Sequence, residues 1–202
     1  MITKLFDFSN EEEKLISKVY DKLFEIYDIS VIDIENSPYN QFKSEQNDLS
    51  PLFIPKICYF VTDKNKAYSF YLFIVNKGGT TSRGARADNQ LDTLQIWGLK
   101  KTDNDFGFIS VNKKSLADKV AGIFSHFNIN FKDNKGFKDF YVIGNDPYKT
   151  MSFLDNRRKD VIKSFPDEDF KLVVKNNIIS FGLPKELTVE NAEMVSKFLE
   201  EI

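Results

Sequence analysis

Ile57-Cys58-Tyr59-Phe60-Val61-Thr62-Asp63-Lys64-Asn65-Lys66-Ala67-Tyr68-Ser69-Phe70-Tyr71-Leu72-Phe73-Ile74-Val75-Asn76 is the stretch that decides the fold class. Residues 57–62 and 67–76 are rich in β-branched and aromatic side chains, which suit a pleated surface. The polar run Asp63-Lys64-Asn65-Lys66 between them predicts a hairpin turn. In the second run Tyr68, Phe70, Leu72 and Ile74 point one way, and Tyr71, Phe73 and Val75 the other. A strand that is apolar on both faces is expected to be central and covered twice. Two further strand patterns follow at 91–100 and 106–112, joined by the polar turn 101–105. Together they predict a four-strand antiparallel meander.

Upstream, Ser9-Asn10-Glu11-Glu12 has the form of a capping box. Leu15, Ile16, Val19, Leu23, Phe24 and Tyr27 then recur at helical spacing. A short strand is expected at 29–34. Residues 36–55 hold Pro38, Pro51 and Pro55 among small polar residues and are expected to form a long loop or irregular linker, or equally to cover a sheet edge.

Downstream, the apolar spacing predicts a helix over 114–127, a strand over Phe140–Gly144, and one helix from Asp146-Pro147 to Phe165. Residues 170–175 and 178–183 predict a second hairpin, because Asn176-Asn177 tolerates the positive φ of a tight turn. Thr188 is placed to cap a last helix whose apolar side is Val189, Ala192, Val195, Phe198, Leu199 and Ile202. The expected class is α+β: a mainly antiparallel sheet, with a four-strand meander plus C-terminal strands and hairpin, packed with about four helices. One domain over 1–202 is expected, with a break near 128–138 as the alternative.

Of 202 residues 42% are hydrophobic, and the 20 Phe and 8 Tyr supply enough ring area for a real core. The single cysteine, Cys58, excludes an intramolecular disulfide and a thiolate metal cluster. The opening Met1-Ile2-Thr3-Lys4 leads into an acidic segment rather than an apolar one, and the longest apolar run, 70–75, is far short of a membrane span. A cytoplasmic location away from membranes is the expectation.

The formal charge of −2 hides an uneven distribution. Residues 1–55 carry 5 Lys/Arg and 11 Asp/Glu, residues 56–119 carry 11 and 6, and residues 120–202 carry 12 and 13. An acidic head beside a basic middle predicts either an internal electrostatic fit or a middle segment that meets an anionic partner.

Gly78-Gly79-Thr80-Thr81-Ser82-Arg83-Gly84-Ala85-Arg86 combines a permissive backbone, hydroxyl donors and two guanidinium groups, the chemistry of an anion or nucleotide loop. Gly78, Gly79, Thr80, Thr81, Ser82, Arg83 and Arg86 are its candidate ligands. No Lys follows the last glycine, so it is not a Walker A loop. The bland alternative is a polar connection between strands. Tyr59, Tyr68, Tyr71 and Trp97, with Lys64, Lys66, Arg83, Arg86, Lys100 and Lys101 around them, could stack single-stranded bases. Rings at alternating positions on both faces instead resemble core, which disfavours nucleic acid.

Asp169-Phe170-Lys171 with Asp167 has the acid–x–lysine form of a metal nuclease, which needs a second carboxylate such as Asp33 or Glu35 from another element. His126, the only histidine, suits a helix C-terminus. The run Arg157-Arg158-Lys159 reads as an exposed helical face or a contact for an acidic partner. No catalytic constellation, metal site or cofactor is expected. The leading expectation is a non-enzymatic module that binds a protein, in one form an inhibitor or immunity-type partner of a basic protein. Its contact would be the acidic head at Glu11, Glu12 and Asp21.

Overall fold

The hairpin read at 57–76 is the seed of a single large sheet. The computed structural model describes residues 8–43, 53–77, 93–113, 137 and 139–202. Its strands are β1 (Asp28–Ile32), β2 (Phe53–Thr62), β3 (Ser69–Lys77), β4 (Thr93–Lys101), β5 (Phe108–Lys113), β6 (Phe140–Gly144), β7 (Lys171–Lys175) and β8 (Ile178–Gly182). They line up in the order β1-β2-β3-β4-β8-β7-β5-β6, and every neighbouring pair is antiparallel. Five α-helices accompany them among the described residues: α1 (Asn10–Ile26), α2 (Tyr39–Lys43), α3 (Pro147–Phe153), α4 (Asn156–Ser164) and α5 (Val189–Glu201). The chain is α+β.

The double coating of β3 is real. Phe70, Leu72 and Ile74 are buried in the core beneath α1 and α5, while Phe73 and Val75 are buried on the opposite face. The turn before it is made locally: Asp63 Oδ2 accepts from the Asn65 N–H at 3.0 Å, and Lys66 takes a φ of 58°. Among the described residues, no helix is long and apolar enough to cross a membrane.

The meander has different members from those expected. It runs β1-β2-β3-β4, and β5 does not pair with β4. The β7–β8 hairpin lies between them, and residues 102–107 bridge its tip. Thr102 N–H donates to the Asn177 carbonyl (2.8 Å), Phe106 N–H to that of Asn176 (2.8 Å), and Asn176 N–H to that of Gly107 (2.7 Å). Gly107 has a φ of +67°, a left-handed conformation that glycine adopts without strain. The physical reason lies in β8, all five of whose residues are buried. A strand with every residue buried needs the backbone groups on both of its sides hydrogen-bonded, and β4 and β7 supply those partners.

Two more expectations are corrected. The helix read from 146 to 165 is two helices, α3 and α4. Asp155 restarts the chain by accepting from the Arg158 N–H, as Asp146 does for Tyr148 and Lys149. The linker read over 36–55 contains α2, whose Tyr39 ring lies 5.7 Å from Phe73 and helps to cover the second face. Strand β2 also starts earlier, at Phe53, and runs through Pro55 with a register shift between Pro55 and Ile57. β1 pairs with β2 only from Cys58 onward, so no β1 partner lacks the N–H that proline does not have. The helix expected at 114–127 and His126 lie outside the described residues, as does the break at 128–138 apart from Phe137.

The phenylalanines gather where α4 and α5 meet the C-terminal hairpin. Phe181 of β8 stacks nearly parallel on Phe198 of α5, with centroids 3.5 Å apart. Phe165 meets both edge-on, at 4.9 and 5.5 Å, and Phe170 tilts against Phe181 at 5.6 Å. On the opposite face Gly182 faces Trp97 across the β4–β8 ladder, and the indole fills the space where a side chain at 182 would stand. A Cβ at position 182 would stand 2.6 Å from Trp97 Cε3 and 2.8 Å from its Cγ. Gly182→Ala is therefore expected to cost about 1–3 kcal/mol by overpacking. It should also shift the emission of Trp97, the only tryptophan, because the ring must move. Unchanged fluorescence and an unchanged urea midpoint would refute that.

Candidate binding surface

Helix α1 begins as its sequence dictates. Ser9 Oγ accepts from the Glu12 N–H at 3.2 Å, and Glu12 Oε2 accepts from the Ser9 N–H at 2.7 Å. Val19 and Leu23 are buried against the sheet, and Tyr27, the C-cap residue, turns its ring edge-on to Phe70 at 5.6 Å. Glu12 is thus committed to the cap and is not available to a partner. Glu11 and Glu13 lie in the first turn, beside the positive end of the helix dipole and next to exposed Lys14 and Lys18.

The other described carboxylates of the head lie farther along α1 and around β1. Glu25 pairs with Lys22 at 2.9 Å, while Lys64 donates to the Glu25 carbonyl at 2.6 Å. Asp21, Asp28, Asp33 and Glu35 are exposed, and among the described residues none is paired with a lysine or arginine. Asp28 opens β1. Asp33 and Glu35 follow its end, and Asp33 precedes one turn of 3-10 helix without capping it through its side chain. Among the described residues, no ion pair joins this head to the basic middle of the chain.

The cations of the middle and the C-terminal third are used differently. Lys100 Nζ donates to the carbonyl of Leu199 at 2.6 Å and lies 5.9 Å from the centroid of the Tyr68 ring. Burial holds its pKa below the usual lysine value, and Arg157 and Arg158 push the same way. Arg157 Nη2 donates to the Glu201 carbonyl at 3.0 Å, and Arg158 Nε to that of Ile202 at 3.3 Å. Arg158 also lies 5.3 Å from the Phe106 ring and 5.0 Å from that of Phe153. Three cations therefore satisfy the last carbonyls of α5, where the helix dipole is negative. The arginine run read as an exposed face is in part a structural clamp. Only the spatial meeting of α4, β4 and α5 reveals it.

The four rings proposed as a stacking platform do not share a face. Tyr59 and Tyr68 belong to the core under the helices, whereas Tyr71 and Trp97 pack on the opposite side. Cys58 is buried, and burial pushes its thiol up to about 12 against a smaller opposing pull from Ser37. The acid–x–lysine residues lie before and at the start of β7. Burial raises the Asp167 carboxyl, but the Lys185 ammonium at 2.6 Å and the Asp169 N–H at 2.9 Å outweigh it and hold the group below its usual range. Lys185 also approaches Asp169, at 3.6 Å. Among the described residues, no three His, Cys, Asp or Glu side chains are grouped so that they could hold a metal. Gly78, Gly79, Thr80, Thr81, Ser82, Arg83 and Arg86 lie outside the described residues. No family model matches this chain and no curated protein sequence is similar to it, so its functional reading rests on the chemistry of this surface.

Proposed function

We propose that this chain is a non-enzymatic protein-binding module of the cytoplasm, regulatory or inhibitor-like, whose acidic head engages a basic partner. The observation that carries this reading is the set of exposed, unpaired carboxylates Asp28, Asp33 and Glu35 around β1, with Asp21 on the preceding helix. Charges with no counter-ion among the described residues leave a field that steers an oppositely charged protein and selects against acidic ones. The buried free thiol of Cys58 suits a reducing compartment.

The triple variant Asp28→Lys, Asp33→Lys, Glu35→Lys tests this without touching the Glu12 cap. Immobilised native protein is expected to retain basic proteins from lysate and to release them as salt rises. The variant, with an unchanged melting temperature, should retain at least about tenfold less. Equal retention by both would retire the reading.

A further inference from the structure

We infer that the outer edge of β1 is a strand-addition site, which takes an extended segment of a basic partner in which cationic and apolar side chains alternate. This rests on the acidic-head reading above and adds the mode of binding.

Among the described residues β1 ends the sheet and pairs with β2 alone, through Asp28↔Thr62, Ile29↔Val61, Ser30↔Phe60, Val31↔Tyr59 and Ile32↔Cys58. Backbone groups of a strand point alternately to its two sides, so half of those in β1 face outward. Exposed edges are ordinarily guarded by lysine, proline or a bulge. Asp28-Ile29-Ser30-Val31-Ile32 has neither residue, and its register with β2 is unbroken.

The side chains flanking this edge are apolar in the middle and acidic at the ends. Val31 is 64% exposed and Phe24 54% exposed. A chain of rings links them: Phe24 stacks on Tyr20 at 5.9 Å, and Tyr20 tilts against Tyr59, the register partner of Val31, at 5.8 Å. Asp28 stands at the start of the strand, and Asp33 and Glu35 lie just past its end. An added strand would bury an apolar side chain against Val31 and Phe24 while presenting lysine or arginine to these carboxylates. Charge argues against a second copy of the chain, since pairing β1 with itself would bring two acidic edges together.

The test uses the whole chain and a short peptide in which lysine alternates with valine. Two control peptides have alternate amides N-methylated, or glutamate in place of lysine. Native protein should bind the first peptide, and at least about tenfold more weakly either control. Val31→Lys, which guards the edge at an exposed position, should weaken binding by a similar factor with the melting temperature unchanged. Equal affinity for the N-methylated peptide, full binding by Val31→Lys, or no binding at all would overturn strand addition. Concentration-dependent dimerisation abolished by Val31→Lys, without peptide binding, would overturn the basic partner in favour of self-pairing. If charge reversal lowers protein capture while Val31→Lys does not, the acidic-head reading stands and strand addition alone fails.

Discussion

Phe181→Ala is expected to lower the stability of this protein by about 3–5 kcal/mol, the usual cost of truncating a fully buried phenylalanine. Phe181 has no solvent exposure and sits where β8, α4 and α5 meet. Its loss removes the stack on Phe198, the edge contact with Phe165 and the tilted contact with Phe170. Each such pair is worth about 0.5–1.5 kcal/mol beyond the area it buries. Domains of this kind have about 5–15 kcal/mol in total, so the variant should stand near the edge of folding. Phe181→Leu keeps much of the volume and should retain a cooperative urea transition at an intermediate midpoint. If Phe181→Ala costs less than about 1 kcal/mol, the aromatic cluster is not the centre of the core.

Alkali should unfold the protein as strongly. Burial raises the pKa of Tyr27 well above the usual phenol value, and its hydrogen bond to Glu200 at 3.0 Å adds to this. Tyr59 is raised by burial and then by Tyr20, and Tyr68 by burial and then by Glu200 and Asp63. In each case the folded state holds its proton more tightly than the unfolded chain does. The associated stability is complete below the ordinary value near 10 and is lost as pH rises above it. For Tyr27 and Tyr59, both buried, the loss is about 1.4 kcal/mol per pH unit each while the native phenol stays protonated. Lys100 works the other way: its folded-state pKa is lowered, so its contribution favours the native state as pH approaches 10.5. The tyrosines outnumber it. The urea midpoint should fall steeply above about pH 10, and these phenols should ionise only with unfolding. A single reversible titration of all eight tyrosines near pH 10, with no loss of structure, would contradict this.

The candidate surface was only half legible in the amino-acid pattern. The acidic head could be counted, but its individual charges could not be sorted. Glu12 is spent on a cap that the pattern announces. Asp28, Asp33 and Glu35 enter the proposed surface because β1 is an outer strand, and strand order is not written in local spacing. Lys100 and Arg158 likewise looked like surface cations until β4, α4 and α5 were brought together at the end of one helix.

The order of residues was enough for whatever is decided within a few neighbours. Ser9, Asp146 and Thr188 start helices through hydrogen bonds that reach two or three residues along the chain. The turn at Asn176, with its φ of 55°, and the two-sided apolar pattern of β3 are equally local. Beyond the two hairpins β2–β3 and β7–β8, which strand lies beside which was settled only in three dimensions. A hairpin between β4 and β5 would satisfy their backbones as well as the observed ladders do, but it would leave the wholly buried β8 without two neighbours. Burial of that strand outweighs the shorter loop, because the entropy of closing a longer one rises only slowly with its length.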